Sequence, residues 1–243
     1  MKLLLMPLLL TGLSFANSVY GSPFETVESY GERLKKATPQ SVLEFLKAGN
    51  KRFVLGKSIH GGFTKDVRLR RHNASLRQRP LATILSCIDS RTAPEIVFDA
   101  TIGDLFTARV GGNVVNNDVI GSLEVAGSKV IIILGHKDCF GIKGACQDIQ
   151  FGHFTELLAK IKPNIQRTNE KLDRDPILSQ KVGKRDVSNP NYVAAIGHTN
   201  AVASKEQILF RSEYLRGQVE KGEIILIAAL YDVITGEVEF DLH

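Results

Sequence analysis

Cysteine is scarce in this 243-residue chain, with three in all, and tryptophan is absent. Cys87, Cys139 and Cys146 are too few and too widely spaced to form the disulfide framework of a small secreted domain, so they need another explanation. No apolar run reaches the roughly 20 residues that a membrane-spanning helix requires. Pro/Gly/Ser-rich linkers, low-complexity tracts and repeats at solenoid periods are also missing, which excludes disorder, collagen and a beads-on-a-string architecture. Neither sign of charge dominates: 31 basic residues stand against 26 acidic ones, a net charge of +5 that names no polyanionic partner. What remains, 43% hydrophobic and 23% charged residues, is the profile of a globular protein with one substantial core.

The first 21 residues carry Lys2, then an apolar stretch over 3–13, then small residues ending at Gly21. This pattern reads as a cleaved secretory signal peptide, with a single domain over 22–243 and a periplasmic or secreted location. A stable membrane anchor is not expected, because the stretch is short and Pro7 interrupts it; no cysteine lies near the cleavage site to take a lipid. Residues 65–79 hold Lys65, Arg68, Arg70, Arg71, Arg77 and Arg79 against Asp66 alone. The run reads as a solvated or subunit-contact face and not as a nucleic-acid surface.

Three continuous apolar runs, 81–86, 130–134 and 224–230, have the character of strands buried on both faces, as in parallel sheets. A fourth run at 105–110 precedes Gly111 and Gly112. Helical patterns fall near 117–127, 141–171, 190–206 and 207–221, and an earlier helix follows Thr38 as N-cap and Pro39 in the first turn. Alternating strands and helices predict an α/β fold: a mainly parallel central sheet flanked by helices, with an antiparallel C-terminal edge strand after a turn at Thr235 and Gly236.

Two of these strands end in chemically similar residues. Cys87, Asp89, Ser90 and Arg91 follow the first, and His136 and Cys139 follow the third. Ligands bind outside the carboxyl ends of strands in open α/β sheets, so the two cysteines and the histidine can converge there. Two thiolates and an imidazole suit zinc and leave a fourth position open, as in catalytic sites. A cysteine after a strand is also commonly a core residue, and both readings stand on these three alone. The neighbouring Asp89 and Arg91 favour the metal, since a carboxylate held ionised by a guanidinium can orient a group on it. Cys146 reads as a buried small residue, and His60, His72, His153, His198 and His243 match no motif.

The C-x-D-S-R run at 87–91 and the H-x-x-C run at 136–139 closely resemble those of the β-class carbonic anhydrases, and the resemblance extends from about Leu46 to the C-terminus. It implies reversible hydration of CO2 to bicarbonate and a proton, with one zinc ion per chain held by Cys87, His136 and Cys139. Asp89 and Arg91 would orient the hydroxide, or Asp89 would itself join the metal in a closed form. Gln78 and Phe106 fall at substrate-pocket positions, with Phe140 beside the second cysteine. A homodimer or homotetramer is implied, because family pockets lie at a dimer interface. Hydrolysis of carbonyl sulfide or carbon disulfide, and noncatalytic binding of zinc or bicarbonate, are the alternatives. The chain departs from the family pattern at Phe140, where glycine is common, and at Val125, in a segment shortened by about one helical turn. Without tryptophan, the regulatory bicarbonate pocket of some members cannot be assembled in the same way.

Overall fold

Val130–His136 is buried at every position, and this strand, β3, forms the middle of a five-stranded sheet. The computed structural model describes residues 36–59, 78, 80–240 and 242–243. The leader at 1–21 and all of the basic residues named at 65–79 lie outside them. Along the sheet the strands run Leu105–Arg109 (β2), Ala82–Ser86 (β1), β3, Ile225–Tyr231 (β4) and Val238–Phe240 (β5). The first four are parallel and β5 is antiparallel to β4, as the apolar runs predict.

Side chains alternate across a strand, so a continuous apolar run supplies two cores at once. Ile132 and Leu134 face one core with Ile84, Ile227 and Ala229. It is covered by α1 (Pro39–Val54) through Val42, Phe45 and Leu46. Ile131 and Ile133 face the other core with Leu85, Ala228 and Leu230. α3 (Asn117–Ala126), α7 (Pro190–Arg211) and α8 (Glu213–Glu220) contribute Leu123, Ile208 and Leu215 there. The short α2 (Pro94–Val97) lies between β1 and β2 in the chain. No helix among the described residues is long and apolar enough to cross a membrane.

The start of α1 follows its sequence signals, with Thr38 accepting from Ser41 N and Pro39 in the first turn. The helical pattern over 141–171 divides into α4 (Phe140–Cys146) and α5 (Gly152–Arg174), because Asp148 and Gly152 take left-handed φ values of 53° and 45°. α6 (Pro176–Val182) was not expected, although Asp175 and Pro176 are a good N-cap and first-turn pair. The boundary expected near 206 falls at Ser212, buried and capping α8 through Leu215 N, while α7 runs on to Arg211.

One buried amide ties α1 to the C-terminal turn. Asn50 Nδ2 donates to Val97 O at 3.2 Å and Gly236 O at 2.8 Å, and Asn50 Oδ1 accepts from Val238 N at 3.0 Å. Asn50→Ala leaves three backbone groups without this partner and is expected to cost about 2–3 kcal/mol. Urea unfolding checks this: the midpoint should fall while the slope stays constant.

Candidate metal centre

The parallel register brings the candidate ligands to one edge. Ser86, the last residue of β1, lies opposite both Arg109 of β2 and Leu134 of β3, so Cys87 follows directly and His136 stands two residues further along its neighbour. Asp138 then turns the chain at φ 61°, and Cys139 is the residue before α4. Cys87, His136 and Cys139 are all buried, and their ligand atoms lie within 4.8 Å of one another. No other such cluster of three occurs among the described residues.

Three features fit a tetrahedral cation. The two sulfurs are 4.0 Å apart, close to the roughly 3.8 Å that two thiolates about 2.3 Å from a tetrahedral zinc would show. His136 Nδ1 donates to Lys137 O at 2.9 Å, which fixes the tautomer and leaves Nε2 with its lone pair forward. That Nε2 is buried and has no hydrogen-bond partner. The thiols themselves form an acidic pair. Cys87 is pulled well below the usual thiol range, chiefly by accepting from Cys139, against burial and with help from His136 and the Asp89 and Gly112 backbone. Cys139 is pushed up by holding that proton and by burial. A buried thiolate beside an orphaned imidazole nitrogen is a donor set that a cation satisfies.

Asp89 and Arg91 stand beside this set. Arg91 Nε donates to Asp89 Oδ1 at 2.9 Å and its terminal nitrogen to Oδ2 at 2.7 Å, while the Arg91 backbone N–H also reaches Oδ1. This fork lowers the Asp89 carboxyl to about 2, against partial desolvation. Asp89 Oδ2 is 4.0 Å from His136 Nε2, with both carboxylate oxygens engaged by Arg91.

Several contributors were missed on the sequence. Asp138 Oδ2 accepts from Arg91 at 3.0 Å and its other oxygen pairs with Lys143, so the guanidinium is held from two sides. Arg109 donates to Cys87 O at 3.0 Å and Asp89 O at 2.7 Å, and Thr92 Oγ1 reaches the same two carbonyls. Gly112 N donates to Cys87 Sγ at 3.2 Å. The signal for Gly112 and Arg109 was the Arg109–Gly112 stretch itself; nothing marked Asp138 apart from its place between two ligands.

The remaining candidates are less central. Phe140 is 63% exposed, and its ring stacks on Phe154 with centroids 5.7 Å apart. Phe106 is half-buried on β2 opposite Thr83, and Gln78 is exposed. Val125 is 84% exposed near the end of α3, which Gly127 terminates at φ 61°.

A family model described as carbonic anhydrase matches residues 82–238, well over half the chain and the whole of this centre. The chain belongs to the β-carbonic anhydrases. A carbonic anhydrase of Mycolicibacterium smegmatis is 28% identical over 219 residues, covering 86% of this chain and 97% of that protein. Carbonic anhydrase 2 of Mycobacterium tuberculosis is 33% identical over 143 residues, 54% of this chain and 67% of its own. In fold, the chain resembles tetrameric β-carbonic anhydrases from Sordaria macrospora, with a TM-score of 0.60 at 20% identity over 82% of this chain and 95% of that one. A Coccomyxa β-carbonic anhydrase solved with acetazolamide gives 0.56 at 18% identity, over 84% and 86%. The general reaction of the family is the hydration of CO2, and the family match makes this chain an enzyme of that family.

Proposed function

We propose that this β-carbonic anhydrase hydrates CO2 reversibly with one zinc ion per chain, held by Cys87, His136 and Cys139. The observation that carries the reading is the orphaned, buried Nε2 of His136 facing two buried sulfurs, next to a carboxylate kept ionised by Arg91. When bound, zinc supplies a hydroxide nucleophile near neutral pH by lowering the pKa of water toward about 7.

The protein's own groups then set its direction. Asp89, an acceptor only at neutral pH, takes the hydrogen bond of the nucleophile and leaves a lone pair aimed at the carbon of CO2. Arg91 keeps that carboxylate charged and in place, and Asp138 keeps Arg91 in place. Water and CO2 together give bicarbonate and one proton, which passes to buffer. His136 contributes orientation through its bond to Lys137 O.

A homodimer or homotetramer completes the proposal. The support is the fold that this chain shares with the tetrameric β-carbonic anhydrases of Sordaria macrospora. Export through the 1–21 leader would place the activity outside the cytoplasm.

Metal analysis joined to stopped-flow CO2 hydration tests the central reading. About one zinc per chain with rapid hydration is expected; metal without hydration would leave the noncatalytic alternative, and a preference for carbonyl sulfide would move the substrate. Phe140→Gly is expected to retain zinc while shifting KM about two- to fivefold, because losing the stack on Phe154, worth roughly 1 kcal/mol, loosens the start of α4 beside Cys139. Steady-state kinetics with metal content measured on the same sample check it.

A further inference from the structure

Asn200 and Ser204 lie one helical turn apart on α7 and hold two successive carbonyls of the turn at Gly111–Asn113. Asn200 Nδ2 donates to Gly112 O at 2.8 Å, and Ser204 Oγ donates to Asn113 O at 3.3 Å. Asn164 of α5 donates to Asn200 Oδ1 at 2.9 Å, which dictates that the amino end of the Asn200 amide faces Gly112. Both amides are buried, at 7% and 1% exposure.

The turn closes with one backbone bond of its own, from Asn113 N to Val110 O at 2.8 Å. Gly112 and Asn113 have φ values of 60° and 45°, two left-handed residues in succession, a conformation that glycine and asparagine tolerate better than other residues. A Cβ at Gly112 would meet Ile161 Cδ1 at 2.6 Å, so a larger residue there would have to displace the end of that buried side chain. Glycine supplies the conformation but no rigidity. The amide chain from α5 through α7 supplies it. The part of the turn that matters to chemistry is the Gly112 N–H, which is aimed at Cys87 Sγ.

We propose that Asn200, oriented by Asn164, is a positioning residue that holds the Gly112 N–H on the Cys87 sulfur and so limits how much charge this ligand gives the metal. The inference rests on the zinc reading above. Two thiolates push electron density onto a metal and weaken its pull on water; an N–H donor on one of them withdraws part of that density. If packing alone were at stake, leucine would fill these positions without burying two amides.

Cobalt(II) put in place of zinc reports the thiolate directly through its sulfur-to-metal charge-transfer absorption. In Asn200→Leu the band is expected to move to longer wavelength, since a sulfur freed of its donor gives up an electron more readily. The kcat for CO2 hydration is expected to fall about tenfold with KM unchanged, in line with the loss of one hydrogen bond to a charged group. Asn164→Leu should move the band in the same direction by less, and it carries the test if Asn200→Leu does not fold. Thr168→Val removes a buried bond to Asn164 O in the same region without touching either side-chain amide, and its band should stay in place. A wild-type protein with no charge-transfer band overturns the thiolate metal site itself. A wild-type band that is unmoved in the asparagine variants that fold, or moved equally by Thr168→Val, overturns the role of Asn200 and leaves the metal site standing.

Discussion

Asp89→Asn is expected to lower kcat for CO2 hydration by about 10²- to 10³-fold at pH 8 while the protein keeps its zinc, the size of loss seen when one preorganised polar group is removed from an active site. The variant is nearly isosteric, so the Arg91 fork survives in part, but an amide presents one oxygen where the carboxylate presents two. Arg91 now claims that oxygen, and the amino group turned toward the nucleophile donates where an acceptor is needed. Stopped-flow rates and metal content on the same preparation decide the matter. A variant that matches wild type at pH 8 would remove Asp89 from the mechanism whatever its metal content.

The pH dependence sharpens the same test. Asp89 titrates near 2, held down by Arg91, so its own protonation contributes nothing to a loss of rate between pH 8 and pH 6. If the wild-type acid limb is steeper than one proton, a concerted swing of Asp89 from Arg91 toward the metal in several subunits of an oligomer would account for it, since a swing coupled to one proton within a single site moves the midpoint without steepening the limb. Asn is a poor ligand for zinc, and Asp89→Asn should then show a one-proton limb. A wild-type limb that fits one proton would dismiss a concerted swing and keep the orienting role.

The residues around this centre differ in how legible they are in the sequence. The strands were plain because Val130–His136 and its neighbours are buried on both faces, and a run of isoleucines has few other places to go. The candidate ligands were plain because a parallel sheet puts strand ends on one edge, so Cys87 and His136 were neighbours as soon as β1 and β3 were. The supports were not. Gly112 acts through its backbone N–H and Asn200 acts on a carbonyl 88 residues away, neither of which has a local pattern. The division of α4 from α5 was hidden because Asp148 adopts a left-handed conformation that its residue type permits without announcing. Phe140, which breaks the family pattern, was readable as a departure, but its stack on Phe154 depends on how α4 and α5 pack.

Cys87→Ser is expected to abolish zinc binding and with it CO2 hydration, a loss of more than about 10³-fold, and to make the protein indifferent to chelators. Serine keeps the shape but not the chemistry: its hydroxyl does not ionise near neutral pH, and its shorter bond to Cβ draws the donor atom back from the other two ligands. It also breaks the pairing with Cys139, whose thiol donates to the Cys87 sulfur in the absence of metal, and the bond from Gly112. Stability should follow occupancy. A ligand bound only by the folded state stabilises it by about 4 kcal/mol at a thousandfold excess over Kd, which for a chain of this length corresponds to roughly 10 °C in Tm. Chelation of the wild type should therefore lower Tm by about that amount, and the same chelator should leave the Tm of Cys87→Ser where it was. Cys146→Ala separates the metal from any general effect of thiols. Cys146 is half-buried with its thiol pushed up by burial, and it stands outside the ligand cluster, so this variant should bind one zinc and respond to chelation as wild type does. Equal zinc content in Cys87→Ser and wild type would show that the sulfur at 87 is a core atom, and the assignment of the centre would fall with it.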